Sequence, residues 1–268
     1  MKKFLILLMV LITVVLSGCG DKFAKEKEAI TKAEQAAMDM KLPDLVAPYT
    51  IKKPSKEDWD KYRKAFKELL ETETKILAEM KKSDAKIAEM EKTASESEKK
   101  DLKAFKDKIH QARIEFVRKI SKGRLRGDTF IVGVGSTWQE IEMVYGTPQS
   151  KKSDYDYNYG EITFSDWYSK GVPPKGYKFV SDGPQAVFVT GGSIISDAGV
   201  KIGMTRDEVK KVLTEKSAKG KVEERKLIDG SKDELMQIPG YSMKTTQPYN
   251  LFCRYSNGKL QSYNVSRN

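Results

Sequence analysis

The side chains that could carry a reaction are few. The chain holds one histidine, His110, and two cysteines, Cys19 and Cys253. A single imidazole argues against His-rich zinc and Ser-His-Asp constellations within one chain. His110 stands beside Ile109 in a helix-patterned stretch, where a solvated or packed helix residue is the simple reading. Carboxylate pairs for glycoside hydrolysis are not excluded by counting, but most acids fall on amphipathic helices whose solvated faces explain them. Asp154-Tyr155-Asp156-Tyr157-Asn158 places oxygen ligands at positions 1, 3 and 5 of a calcium loop. Position 6 is then Tyr159 rather than glycine and position 12 is Ser165, so a half-buried strand fits better than an ion site. Gly133-Val134-Gly135-Ser136-Thr137 sits at a helix start but lacks the lysine and third glycine of a phosphate loop, and reads as a tight corner. The chemistry that remains is recognition. Tyr155, Tyr157, Tyr159, Trp167 and Tyr168 fall within 14 residues, the last two bordering a Gly/Pro-rich loop. Aromatic rings with polar tips serve as interface anchors, so these five are the expected partner-binding residues. No catalytic residue, metal, cofactor or nucleic-acid site is expected, and the chain is read as a non-enzyme.

The first residues give an address. Met1-Lys2-Lys3 is followed by an apolar run from Phe4 to Leu16. As a helix that run spans about 20 Å, short of a bilayer core of about 30 Å. A positive head and short apolar stretch read as a secretory signal over residues 1–18. Leu16-Ser17-Gly18-Cys19 resembles the lipobox of bacterial lipoproteins. The resemblance implies a diacylglyceryl group on Cys19, cleavage before it, and an extracytoplasmic protein held at the cell membrane. Gly20 lacks the aspartate that resembles an inner-membrane retention signal, so an outer-membrane place stays open if the envelope has two membranes. With Cys19 acylated, Cys253 has no intrachain partner, and a small buried group on a strand is its simple reading.

The formal charge of +11 is spread along the chain. Residues 20–123 carry 26 Lys+Arg against 21 Asp+Glu, and residues 124–268 carry 21 against 17. A mild positive field suits a protein beside anionic lipid or wall polymer. The extracytoplasmic address and the lack of a basic stripe speak against nucleic acid.

Character changes near Gly123. Before it, Lys, Glu and Ala dominate, and residues 19–54 read as anchor, a helix over Lys22 to Met40, and a linker with Pro43, Pro48 and Pro54. That helix has a weak apolar face of Phe23, Ile30, Ala33 and Ala37. Ser55 with Asp58 three residues on forms a start signal. Trp59, Tyr62, Phe66, Leu69, Ile76, Met80, Ile87 and Met90 then recur at 3–4 spacing, with Glu73 and Ser83 in the same register. After a polar break at Thr93 to Ser97, Leu102, Phe105, Ile109, Ala112, Phe116 and Lys119/Ile120 resume it. Residues 55–122 are therefore expected as an antiparallel helical hairpin, its stripe either a seam between the arms or a face awaiting a partner helix.

The second half repeats itself. Val134 to Tyr145 aligns without gaps on Ile202 to Leu213, an offset of 68. Gly, Thr, Glu and Val are shared. Thr137 and Thr205 read as N-caps, Glu140 and Glu208 as their reciprocal partners, and Gly135 and Gly203 as the turns before them. Strand signals follow each copy, ending with the Asn257-Gly258 hairpin. Lys216 to Tyr241 is ambiguous. The expected class is α+β: the hairpin domain, then two tandem helix-on-antiparallel-sheet repeats over 128–196 and 197–268.

This apolar-Gly-small-Thr-x-x-Glu pattern, with Gly146 and Pro148 after the first copy, resembles the module of the SmpA/OmlA envelope lipoproteins and of the beta-lactamase inhibitory protein. In that inhibitor two such modules stand in tandem. The resemblance covers Phe130 to about Val265 and implies a binding surface rather than a reaction. A long helical domain before the modules is a departure from it. The resulting expectation is a lipid-anchored binding protein for a protein or an anionic envelope polymer. The alternative is a spacer or envelope-assembly lipoprotein working through its helical domain.

Overall fold

The computed structural model describes residues 21–45, 53, 55–121, 132–151, 156–166, 183–194, 196, 198–228, 230, 232–242 and 249–266. Contacts divide the chain into two compact units, residues 1–113 and 114–268. The described elements are α1 Ala24–Met38, α2 Lys56–Thr93, α3 Glu96–Ser121, α4 Trp138–Tyr145, β1 Ser150–Lys151, β2 Asp156–Asn158, β3 Ile162–Ser165, β4 Ala186–Val189, α5 Arg206–Lys216, β5 Arg225–Leu227, β6 Glu234–Tyr241, β7 Tyr249–Ser256 and β8 Lys259–Ser266. Helices and one antiparallel sheet make an α+β chain.

In the first unit α2 starts where Ser55 and Asp58 exchange hydrogen bonds, the Asp58 amide donating to Ser55 Oγ at 3.2 Å and the Ser55 amide to Asp58 Oδ2 at 2.8 Å. The heptad register holds from Leu69 to Met90, and even Glu73 and Ser83 are buried. The stripes of the two arms do meet, and α1 joins them to make a three-helix core. Phe23 and Ile30 of α1 pack with Ile87 and Met90 of α2 and with Leu102, Phe105 and Ile109 of α3. The apolar face of α1 is weak because three of its buried positions are polar: Lys27, Thr31 and Glu34. Each has a partner, so burial is tolerated. Lys27 Nζ lies 2.8 Å from Asp21 Oδ2, and Thr31 Oγ1 donates to the Lys27 carbonyl at 2.8 Å. Glu34 takes two hydrogen bonds from the Arg113 guanidinium, at 2.6 and 3.0 Å. Arg113 also donates to Asp84 of α2 at 3.1 Å and to the Met80 carbonyl at 3.0 Å. Burial works against the Arg113 cation, and its hydrogen bonds to Glu34 and Asp84 more than restore it.

Burial also pushes the Asp21 carboxyl up, but hydrogen bonds from Lys27 and the Phe23 amide outweigh it and hold the group below its ordinary range. A depressed folded-state value means the contact stabilises the fold above the ordinary carboxyl value of 3.8 and is lost as pH falls through the lower folded one. Asp21→Asn should therefore be less stable than the parent at pH 7, and the deficit should shrink near pH 3. Urea unfolding at both pH values reads this directly.

In the second unit both repeat copies form the corners expected of them. Gly135 (φ 102°) and Gly203 (φ 90°) take the left-handed turn that side chains resist. Thr137 and Thr205 then cap α4 and α5, with Glu140 and Glu208 closing reciprocal capping boxes. The first box is buried and the second lies in solvent. Thr137→Ala is expected to cost about 1–2 kcal/mol, more than Thr205→Ala, because water replaces the lost bond only at the second site. Chemical denaturation of the two variants checks the order.

The strands form one sheet of order β1-β2-β3-β4-β8-β7-β6-β5, each neighbour antiparallel. After each helix four strands follow in sequence, and the last strand of each set pairs with the other: Ala186 with Ser266, Val189 with Tyr263. Two separate small sheets were expected; joining β4 to β8 removes two open edges at once. Asn257-Gly258 makes the β7–β8 turn with both residues at positive φ. β5 and β6 occupy the stretch that sequence left ambiguous. Pro239-Gly240 falls at a register shift near the end of β6, which hides its strand pattern. Tyr177-Lys178-Phe179-Val180, which also reads in sequence as a strand after the first copy, lies outside the described residues.

Candidate sheet-face interface

The antiparallel register sorts side chains onto two faces, since directly paired residues project to the same side. One row across the sheet is Tyr157, Phe164, Val187, Val265, Leu251 and Ile238. A second on that side is Ile162, Val189, Tyr263, Cys253 and Met236. All are buried except half-buried Tyr157. This face is the covered one. The Trp138 ring of α4 lies 4.5 Å from Tyr157, and Tyr145 lies 5.5 Å from Phe164. On the α5 side the Tyr241 hydroxyl donates to the Leu213 carbonyl at 3.0 Å.

The opposite face carries a continuous cross-strand row: Asn158, Thr163, Phe188, Asn264, Phe252, Gln237 and Arg225. Seven strands at about 4.8 Å spacing give it a length of about 29 Å. Phe188 is 38% exposed, while Phe252 and Asn264 are half-buried. β7 alternates strictly, buried on one side and half-buried on the other. The row is uncharged from Asn158 to Gln237, in a chain where 32% of residues are charged. Arg225 ends it at the sheet edge. Two apolar rings flanked by amides and a hydroxyl can hold a surface by contact and hydrogen bonding.

Of the residues expected to bind a partner, Tyr157 and Tyr159 are brought together against α4, with Tyr159 5.6 Å from both Tyr145 and Phe164. These rings join α4 to the covered side of the sheet and do not front the opposite one, which is open at Phe188 but buried at Ser165 and Ala186. Burial, then the charge of Glu142, pushes the Tyr159 phenol well above its ordinary value, so it stays neutral. Tyr155, Trp167, Tyr168 and Cys19, expected from sequence as the lipid anchor, lie outside the described residues. Alternation along β2 correctly marks a half-buried strand but cannot tell which side a helix covers. Phe188 and Phe252, which front the uncovered face, went unnoticed because their alignment exists only through pairing across β4, β8 and β7.

The other chemical candidates resolve simply. Asp156 accepts from Ser165 Oγ at 2.5 Å, and Asn158 bonds Thr163 Oγ1 and the Gly160 amide, so these two calcium-loop positions act within the sheet. Asp154 lies outside the described residues. Cys253 is wholly buried on β7. His110 is exposed on α3. Among the described residues no three His, Cys, Asp or Glu side chains gather as metal ligands, and no helix is long and apolar enough to cross a membrane. Comparison with protein-family models, with curated proteins and with solved structures returned no match.

Proposed function

We propose that the chain is a lipid-anchored, extracytoplasmic, non-catalytic binding protein whose tandem α+β modules share one sheet and present its uncovered face to a protein partner. The row from Asn158 to Gln237, with Phe188 and Phe252 at its middle, carries this reading. Interfaces between proteins are depleted in charge at their centre and enriched in aromatic rings. An anionic wall polymer would meet none of the chain's many lysines along that stretch, so a protein fits better than a polymer. The shared helix-then-four-strands order of the two sets supports reading them as repeats. The resemblance of their capped corners to the SmpA/OmlA and inhibitor modules supports recognition over catalysis.

A photo-crosslinking residue at Asn264, introduced into the full chain in its own cells, tests the proposal. The expected result is one dominant protein adduct that disappears when Phe188 is replaced. Adducts to glycan alone, or hydrolysis of an envelope substrate by the purified chain, would overturn it.

The spacer reading keeps one observation. The first 13 residues of α2, Lys56 to Glu68, contain no buried side chain, and Trp59 is 38% exposed. If deleting residues 124–268 leaves the cells unaffected, the helical unit is the working part.

A further inference from the structure

The described chain is fastened to one end of the helical bundle from its first residue. Asp21 accepts hydrogen bonds from the Phe23 amide at 2.9 Å and from Lys27 Nζ at 2.8 Å. Lys27 is only 2% exposed. Lys22 Nζ donates to the Thr93 carbonyl at 2.8 Å, the last residue of α2. Phe23 is buried with Met90, Leu102 and Phe105, which flank the α2–α3 turn. Cys19 precedes Asp21 by two residues, and two residues of chain reach at most about 7 Å.

We infer that the protein stands on the phospholipid surface by its α2–α3 turn, with no slack between lipid and bundle, so that α2 rises away from the bilayer. This rests on the lipid anchor at Cys19. The 38 residues of α2 span about 57 Å, and its lower end is the residue that Lys22 holds. Trp59 then stands about 50 Å from the headgroups. A bundle lying flat would need an apolar side to sink into the interface. The flanks here carry alternating charges closed in pairs: Lys32–Glu28, Lys67–Glu71 and Lys82–Glu79 along the length, Lys92–Glu89 and Lys99–Glu96 near the turn. Among the described residues of the first unit, Trp59 is the one large hydrophobic side chain left exposed. The turn end, where residues 89–103 carry four lysines against five acids, has little electrostatic pull of its own; the acyl chains do the holding and the short connection sets the posture.

The test uses the full lipidated chain in vesicles of phosphatidylglycerol and phosphatidylethanolamine carrying a headgroup nitroxide. A fluorophore is placed at Ser97→Cys beside the turn or at Lys56→Cys at the far end of α2. Both sites are exposed, Cys253 is buried and Cys19 is blocked by its lipid, so each label goes to one place. The expected result is severalfold quenching at position 97 and none at position 56. Ten Gly/Ser residues inserted between Gly20 and Asp21 should abolish the quenching at 97. Equal quenching at both positions, or an insertion without effect, overturns the upright posture. Finding no diacylglyceryl on the N-terminal peptide by mass spectrometry overturns the anchor instead, and with it the premise.

Discussion

Arg113→Met is expected to destabilise the helical unit by about 3–5 kcal/mol, because it strands the Glu34 carboxylate inside the bundle. Glu34 is buried on α1, and both hydrogen bonds from the guanidinium vanish together. A methionine fills the volume but answers no charge. Replacing Glu34 by leucine as well should recover most of the loss, since paired apolar substitutes often match a buried ion pair in stability. Asp84 also loses a partner, but its side chain is half exposed and water can take over. Urea unfolding followed by helical circular dichroism would rank the parent, the single variant and the double. A single variant as stable as the parent would show that Glu34 reaches water in solution.

That guanidinium also marks the limit of what the sequence discloses. From α3 it bonds α1 and α2 at once, yet Glu34, Asp84 and Arg113 read in sequence as ordinary charges on solvated helix faces. The features that were legible are local ones. Ser55 with Asp58, Thr137 with Glu140, and Thr205 with Glu208 each act over three residues, and all three form the boxes their spacing implies. Heptad positions from Leu69 to Met90 were legible because one helix repeats its own geometry. The place of α1 in the core was obscured by Lys27, Thr31 and Glu34, which break the apolar stripe and are satisfied by residues outside that stripe.

The candidate site was less legible for the same reason carried further. Tyr157 and Tyr159 advertise themselves by clustering, but only the seating of Trp138 and Tyr145 reveals that a helix covers them. Phe188 and Phe252 stand 64 residues apart and meet across Asn264 by pairing over three strands. No window of sequence contains that row. The same pairing decides what the row carries: from Asn158 to Gln237 it holds no charge, and Arg254, on the same side of β7, lies 3.8 Å from Asp233.

Phe188→Ala combined with Phe252→Ala is therefore expected to weaken capture of the partner cross-linked through Asn264 by about 30-fold or more. Two centrally placed aromatic rings are the type of anchor whose truncation costs about 2 kcal/mol or more in an interface. Stability should fall by only about 1 kcal/mol, because Phe188 is already partly in water and neither ring belongs to the covered core. Arg225→Ala, at the edge of the same row, should leave affinity within about threefold, as rim charges do. Raising the salt from about 0.05 to about 0.5 M should change affinity little, since screening acts on charges and this row has none before its edge. Binding of an anionic polymer would behave oppositely, falling steeply with salt and ignoring the two phenylalanines. Surface-plasmon measurements on the parent and the two variants at both salt concentrations separate these cases. An unchanged affinity in the double variant, with the fold intact by circular dichroism, would remove the uncovered sheet face from any account of recognition.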